Sequence, residues 1–104
     1  EKRRGFYLVK GEGFLDENFT GAIASLLIGR FGKETIVVRT TNDNSYYKVS
    51  LRSNKEEIDL GKIIRKVCGE LGEMGGGHKK AGGARVSLQK MEDFLKLLED
   101  ELSN

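Results

Sequence analysis

SYYKVSLRS, residues Ser45 to Ser53, alternates along its length. Side chains on a β-strand point to opposite faces in turn. Tyr47, Val49 and Leu51 therefore share one face, and Tyr46, Lys48, Ser50 and Arg52 share the other. The first face suits packing on a core, while the second presents hydroxyls and cations. Ser53 falls on the core-facing side of a regular strand and reaches the polar side only at a bend or at the strand end.

The stretches around this strand extend the pattern. Just upstream, Thr35 to Thr41 (TIVVRTT) is rich in β-branched residues and reads as a strand, and the polar cluster Asn42-Asp43-Asn44 marks a hairpin turn between the two. Farther upstream, Phe19, Ile23, Leu26 and Leu27 recur at helical spacing, with Asp16 or Asn18 as the cap and Gly29 and Gly32 near the end. Phe6 to Lys10 (FYLVK) is a short strand before that helix. Downstream, Leu60, Ile63, Ile64, Val67, Cys68 and Leu71 form a wide apolar helical stripe. Cys68 lies within it, which points to packing and not to a nucleophile. Ala84 to Leu88 (ARVSL) is a last strand. The final helix carries Leu88, Met91, Leu95, Leu98 and Leu102 on one face, with Phe94 beside them. Ser87 is its N-cap candidate, but Lys90 stands where a capping box needs Glu or Gln.

The order β-α-β-β-α-β-α predicts one compact α/β domain with a mixed sheet. Strands are expected near residues 6–10, 35–41, 45–53 and 84–88. Helices near 17–30, 59–72 and 88–102 are expected to pack on the sheet's core face. A chain of 104 residues, 38% apolar and 33% charged, is one domain long and too apolar for a disordered segment. No apolar run approaches a membrane span, and no signal-peptide pattern opens the sequence. With a single cysteine neither an internal disulfide nor a cysteine-based zinc site can form, which fits a reducing, cytoplasmic setting. An opening Glu1 in place of methionine reads as a fragment or a trimmed chain.

The net charge of +2 does not announce a nucleic-acid binder. Its distribution is uneven. Residues 74–88 hold Lys79, Lys80 and Arg85 and no acid, whereas residues 89–104 hold two lysines against Glu92, Asp93, Glu99, Asp100 and Glu101. The first stretch suits an anion and the second repels one, although solvated faces have the same composition.

Eight glycines lie between Gly61 and Gly83, and the densest run is Gly75-Gly76-Gly77-His78-Lys79-Lys80-Ala81-Gly82-Gly83. Glycine lets a ligand approach the backbone, and successive free N–H groups can form a concave anion site. His78 can add a hydrogen bond, and Lys79 and Lys80 add positive potential. A plain flexible turn has the same residues. The usual phosphate motifs, G-x-x-x-x-G-K-[ST] and G-x-G-x-x-G, are absent. Arg52 is the second candidate, since a guanidinium grips phosphate in bidentate fashion, with Ser50 or Ser53 in support. An ordinary surface arginine is the alternative.

Taken together, KVSLRS (Lys48–Ser53), a helix, and GGGHKKAGG (Gly75–Gly83) resemble the C-terminal DHH-associated domain, type one, of DHH-family phosphoesterases. That family pairs a Ser-x-Arg-Ser strand with Gly-Gly-Gly-His-x-x-Ala-(Ala or Gly)-Gly. Residues 45–86 carry the resemblance strongly, and the rest of the chain carries it more loosely. The resemblance implies a division of labour. An N-terminal Asp-His-His domain holds two divalent metals, usually manganese, and a metal-bound hydroxide attacks phosphorus. The C-terminal domain holds the substrate. By position, Gly75, Gly76, Gly77 and His78 would contact a phosphate or terminal nucleotide, and Arg52 with Ser50 or Ser53 would hold another part of it. This chain has one histidine and no Asp-His-His sequence. It is therefore expected to need no cofactor of its own, to hydrolyse nothing alone, and to take single-stranded nucleic acid or a phosphorylated nucleotide as partner, alongside the catalytic domain of its parent protein.

Two other readings stay open. Alanyl-tRNA synthetases end in a related domain with its own glycine-rich motif, which contacts tRNA or mediates assembly. A small interaction domain with no ligand would use Gly75–Gly77 structurally and its acidic last helix against a partner. The sequence leaves the substrate, cleavage polarity and oligomeric state open.

Overall fold

Strand Tyr46–Arg52 (β4) sits inside the sheet, between two neighbouring strands. A computed structural model describes residues 1–41 and 43–103, so Asn42 of the expected turn lies outside the described residues. The elements before β4 are β1 (Lys2–Arg3), β2 (Phe6–Lys10), a 3-10 turn (Glu17–Phe19), α1 (Thr20–Arg30) and β3 (Ile36–Thr40). After it come α2 (Leu60–Leu71), β5 (Met74–Gly77), β6 (Ala81–Ser87), a second 3-10 turn (Leu88–Lys90) and α3 (Met91–Leu102). All six strands form one mixed sheet in the order β1-β2-β3-β4-β6-β5. Only β2 and β3 run parallel, and α1 is the crossover that such a pair requires.

The expected order is present with two further strands, β1 and β5. The expectation that all three helices share one face is corrected. Val37, Val49, Leu51, Ala84 and Val86 pack with Ile64, Val67, Phe94, Leu95 and Leu98 of α2 and α3. Ile36 and Val38 face the other way, onto Ala24 of α1, with Ile23 and Leu27 beside them. TIVVRTT supplies apolar side chains to both faces, which is how a doubly covered strand reads. Phe94, Leu98, Val49 and Leu51 are fully buried, and each such side chain contributes about 1.5–3 kcal/mol.

Local chemistry sets the helix ends. The Asp16 carboxylate accepts from Asn18 N at 2.8 Å, and Asp59 accepts from Lys62 N at 3.2 Å at the start of α2. Gly72 ends α2 at φ 71°, a left-handed geometry that favours glycine. Ser87 precedes the last 3-10 turn but makes no cap bond; its backbone N–H and hydroxyl both donate to Glu73. The acidic α3 is tied back to the N-terminal segment. Arg3 pairs with Glu92 and Glu99, Arg4 with Asp100, and Lys66 of α2 with Glu101.

Candidate functional site

Alternation along β4 places Tyr46, Lys48, Ser50 and Arg52 on the α1 side of the sheet. Strand β6 adds to that face, with Arg85 opposite Lys48, Gly83 opposite Ser50 and Ala81 opposite Arg52. Helix α1 packs over β3 and β4. Between it and β6 runs an open groove of about 530 Å3. Glu17, Asn18, Thr20 and Gly21 form one wall, the polar face of β4 forms the floor, and residues 81–83 and 85 of β6 form the other side.

Arg52 is half-buried along α1. Its Nε donates to Ser25 Oγ at 3.1 Å, Nη1 to the Leu51 carbonyl at 2.8 Å and Nη2 to the Gly21 carbonyl at 3.4 Å. A guanidinium has five N–H donors, so these bonds aim the fork and leave donors over. Burial lowers the Arg52 pKa from its usual value, and no carboxylate faces it among the ion pairs of the described residues. Lys48 and Arg85 are likewise outside those pairs. Three cations thus line one groove outside those close ion pairs, with Glu17 in its wall and Asp43 within reach of the Arg85 charge.

The two serines differ. Ser50 is buried in the groove floor, with its hydroxyl 2.9 Å from that of Thr20. Ser53 is buried away from the groove; its oxygen accepts from Thr35 Oγ1 at 3.0 Å and Lys55 N at 3.3 Å.

The triple glycine is an edge strand and not a loop. Gly75, Gly76 and Gly77 pair with Ala84, Gly83 and Gly82 of β6. Close packing explains the composition. A Cβ on Gly75 would stand 2.7 Å from Cys68 Sγ, and one on Gly82 would stand 2.8 Å from the Gly76 carbonyl oxygen. The bend comes at residues 78–80 and is anchored to the start of α2: the His78 carbonyl accepts from Gly61 N and the Lys79 carbonyl from Leu60 N, each at 2.9 Å. His78 is exposed. Its N–H donates to the Ala81 carbonyl at 2.8 Å, and Ala81 is the strand partner of Arg52. Arg52 and His78 therefore flank Ala81, about 10 Å apart by two inter-strand spacings. Gly75–Gly77 and His78 lie beyond β6 and do not line the groove itself. Lys79 and Lys80 both pair with Glu56, at 3.3 and 3.6 Å, which offsets the charge expected of them.

Sequence reasoning about the site left out Lys48, Arg85 and the bare backbone of Gly82 and Gly83. Period-two alternation was the available signal for Lys48. Arg85 stood out only as one cation of the basic stretch 74–88, and its place opposite Lys48 appears once β6 is registered against β4. At the same end, Tyr46 donates its hydroxyl to Glu17 at 2.9 Å, a bond that raises the tyrosine pKa. The Arg85 guanidinium lies 4.0 Å from the centre of the Tyr46 ring. Among the described residues no three His, Cys, Asp or Glu side chains gather into a metal site, and no helix is long and apolar enough to cross a membrane.

The family model of the DHHA1 domain matches residues 5–104. The chain belongs to the DHHA1 family. This DHHA1 domain is 29% identical over 103 residues to an uncharacterized protein of Methanocaldococcus jannaschii, covering 96% of this chain and 22% of that protein. The chain thus spans about a fifth of the curated relative it matches. Solved structures that share the fold include three of other proteins. The C-Ala domain of Aquifex aeolicus alanyl-tRNA synthetase superposes with a TM-score of 0.77 at 22% identity, over 100% of this chain and 97% of that one. RecJ of Thermus thermophilus, in complex with Mg2+, gives 0.71 at 19% identity, over 96% and 15%. PggH of Vibrio cholerae, a pGpG-specific phosphodiesterase, gives 0.69 at 11% identity, over 98% and 34%.

Proposed function

We propose that the groove between α1 and β6 holds the phosphorylated end of a nucleotide or short single strand for a metal-dependent DHH phosphoesterase domain in the parent protein. One observation carries this reading: Lys48, Arg52 and Arg85 line one groove, and none has a carboxylate partner among the described ion pairs. Such charge is stabilised by a polyanion. Arg52 serves as the fixed fork, oriented by Ser25 and the Gly21 carbonyl. Ser50 holds α1 against the floor through Thr20. Exposed backbone at the edge strand and the His78 side chain face a ligand that extends past Ala81. The metals, manganese by expectation, belong to the other domain and supply the attacking hydroxide there; the work of this chain is binding and orientation. Family membership and the likeness to RecJ and PggH support the reading.

Titration with 5′-phosphorylated mononucleotides and short oligonucleotides tests it. Binding is expected to weaken with salt, with a log–log slope of about −0.7 per phosphate contact. Arg52→Ala should weaken it about tenfold, as loss of a charged hydrogen bond does, and His78→Ala should weaken it less. Binding indifferent to Arg52→Ala refutes the assignment.

The fold match over nearly the whole C-Ala domain favours a second reading, a module that contacts tRNA or mediates assembly. A tRNA gel shift at physiological salt separates the two: tight tRNA binding without response to phosphorylated nucleotides supports the second. A phosphate titration followed by NMR that moves no resonance in residues 48–52 or 75–85 supports an interaction domain with no ligand.

A further inference from the structure

We infer that the outer face of α1 is a self-association surface, on which a second copy of this chain lies with its own α1 antiparallel. A helix at a protein surface ordinarily keeps a polar outer face. Helix α2 does so with Lys62, Arg65 and Lys66, and α3 with Glu92, Asp93 and Lys96, all exposed. Helix α1 does not. From Asn18 to Gly29 the chain holds no charged residue, yet only one side of α1 is covered by the sheet. Phe19, Ala22 and Leu26 follow one another at three- and four-residue steps and share the outer side. All three are exposed, Phe19 to 57% and Leu26 to 70%.

The apolar surface continues over the flank of α1 that faces β2. Tyr7, Val9, Leu27, Phe31 and Ile36 line a cleft of about 330 Å3 there, with Glu34 at its rim. Phe31 is 52% exposed and Tyr7 36%. At about 200 Å2 per aromatic side chain, Phe19, Phe31 and Tyr7 leave about 300 Å2 in water. Ala22, Ile23 and Leu26 bring the patch to about 500 Å2, near the top of what a monomer normally exposes. Closed on a second copy of itself, such a patch buries about 1,000 Å2 in total, the least that a specific interface needs.

Charge selects a second copy as the occupant. Asp16 and Glu17 precede the uncharged stretch, and Arg30 and Lys33 follow it. None of the four belongs to an ion pair among those of the described residues. A two-fold contact needs a surface complementary to itself, and this one is. Turned end for end, each copy's acidic end meets the other's basic end, while Ala22 and Leu26 lie next to the axis. The helix is about 16 Å long at 1.5 Å per residue, short enough for both ends to engage at once. Small residues at positions 22 and 29 leave room beside Leu26 for the facing leucine. Gly21 and Ser25, which hold Arg52, lie on the groove flank of α1, so the contact leaves the groove open.

Sedimentation equilibrium of the 104-residue chain tests this. A monomer–dimer equilibrium is expected, with a dissociation constant on the order of 10 μM for an interface of this size. Leu26→Asp places two like charges at the axis and should weaken association at least about tenfold. Leu26 is exposed, so this variant should fold, which far-ultraviolet circular dichroism checks. Arg30→Glu and Glu17→Arg should each associate about tenfold less tightly, since each sets like charges together at both ends. An equimolar mixture of those two variants should recover the affinity of the parent chain, because the mixed pair has opposite charges at both ends again. A chain that stays monomeric at millimolar concentration overturns the inference and leaves the face to another domain of the parent protein. A dimer untouched by Leu26→Asp lies on another surface and overturns it too. A mixture that recovers nothing overturns the antiparallel arrangement, and the inference with it.

Discussion

Gly61, at the start of α2, and Gly77, at the end of β5, meet backbone to backbone. A Cβ on Gly61 would fall against the Gly77 carbonyl, 2.9 Å from its carbon, and Gly61 N donates to the neighbouring His78 carbonyl at 2.9 Å. The contact pins the glycine strand and its bend onto the helix that carries the main core.

Gly61→Ala is therefore expected to destabilise the protein. Within a helix, alanine would ordinarily gain about 1 kcal/mol over glycine. Here the clash is with backbone, which cannot rotate away, and overpacking costs about 1–3 kcal/mol. Urea unfolding should give a lower midpoint, and an unchanged or raised midpoint would contradict the close approach.

The buried hydroxyls of Thr20 and Ser50, 2.9 Å apart, join α1 to the groove floor. Ser50→Ala should cost about 1 kcal/mol, because it strands part of a buried polar group. Adding Thr20→Val should cost less than the two single changes would sum to, since the second removes a group already short of its partner. Strict additivity in a denaturation cycle would show that the pair does not couple.

Acid should weaken the fold before it weakens the core. Glu99 accepts from the backbone N–H of Arg4 and from the Arg3 side chain, which hold its carboxyl below the ordinary 4.5. Glu73 is held low by the Ser87 hydroxyl and N–H. A carboxyl whose folded pKa is depressed binds fewer protons folded than unfolded. Its stabilisation is thus complete above about pH 4.5 and fades as the pH falls towards the folded value. Glu99→Gln with Glu73→Gln should flatten the decline in unfolding free energy between pH 5 and 3; an unaltered slope would remove these two groups as its source.

The Cys68 thiol is buried against β5, and burial pushes its pKa up to about 11. Thiolate is the reactive form, so a disulfide reagent at pH 8 should modify the protein only at the rate of unfolding. Rapid stoichiometric labelling of the folded chain would contradict this.

How far the fold could be read depended on side-chain patterning. The alternation of Tyr47, Val49 and Leu51 against Lys48, Ser50 and Arg52 placed β4 and its two faces correctly, and the apolar stripes located α2 and α3. The glycine run gave no such signal, because residues without side chains have no faces to alternate. Gly75–Gly77 become a strand because β6 offers an open edge, with Cys68 and Ile64 leaving no room for a Cβ at Gly75 and the β6 backbone leaving none at Gly77. The position of α1 was misjudged for a related reason. Ile36 and Val38 against Val37 already indicated two covered faces, but a helix whose apolar residues ring it on several sides does not say which face it takes.

Residue order alone settled the kinds of elements, the polar face of β4, and the linked pair of motifs that places the chain in its family, since each of these depends on neighbours within a few positions. Assembly in three dimensions decided the rest. Strand register brought Arg85 across from Lys48, the turn at residues 78–80 gave Lys79 and Lys80 to Glu56, and α1 covered half of the sheet and left the groove beside it. Contacts between residues tens of positions apart are set by how whole elements pack, and local periodicity holds no record of them.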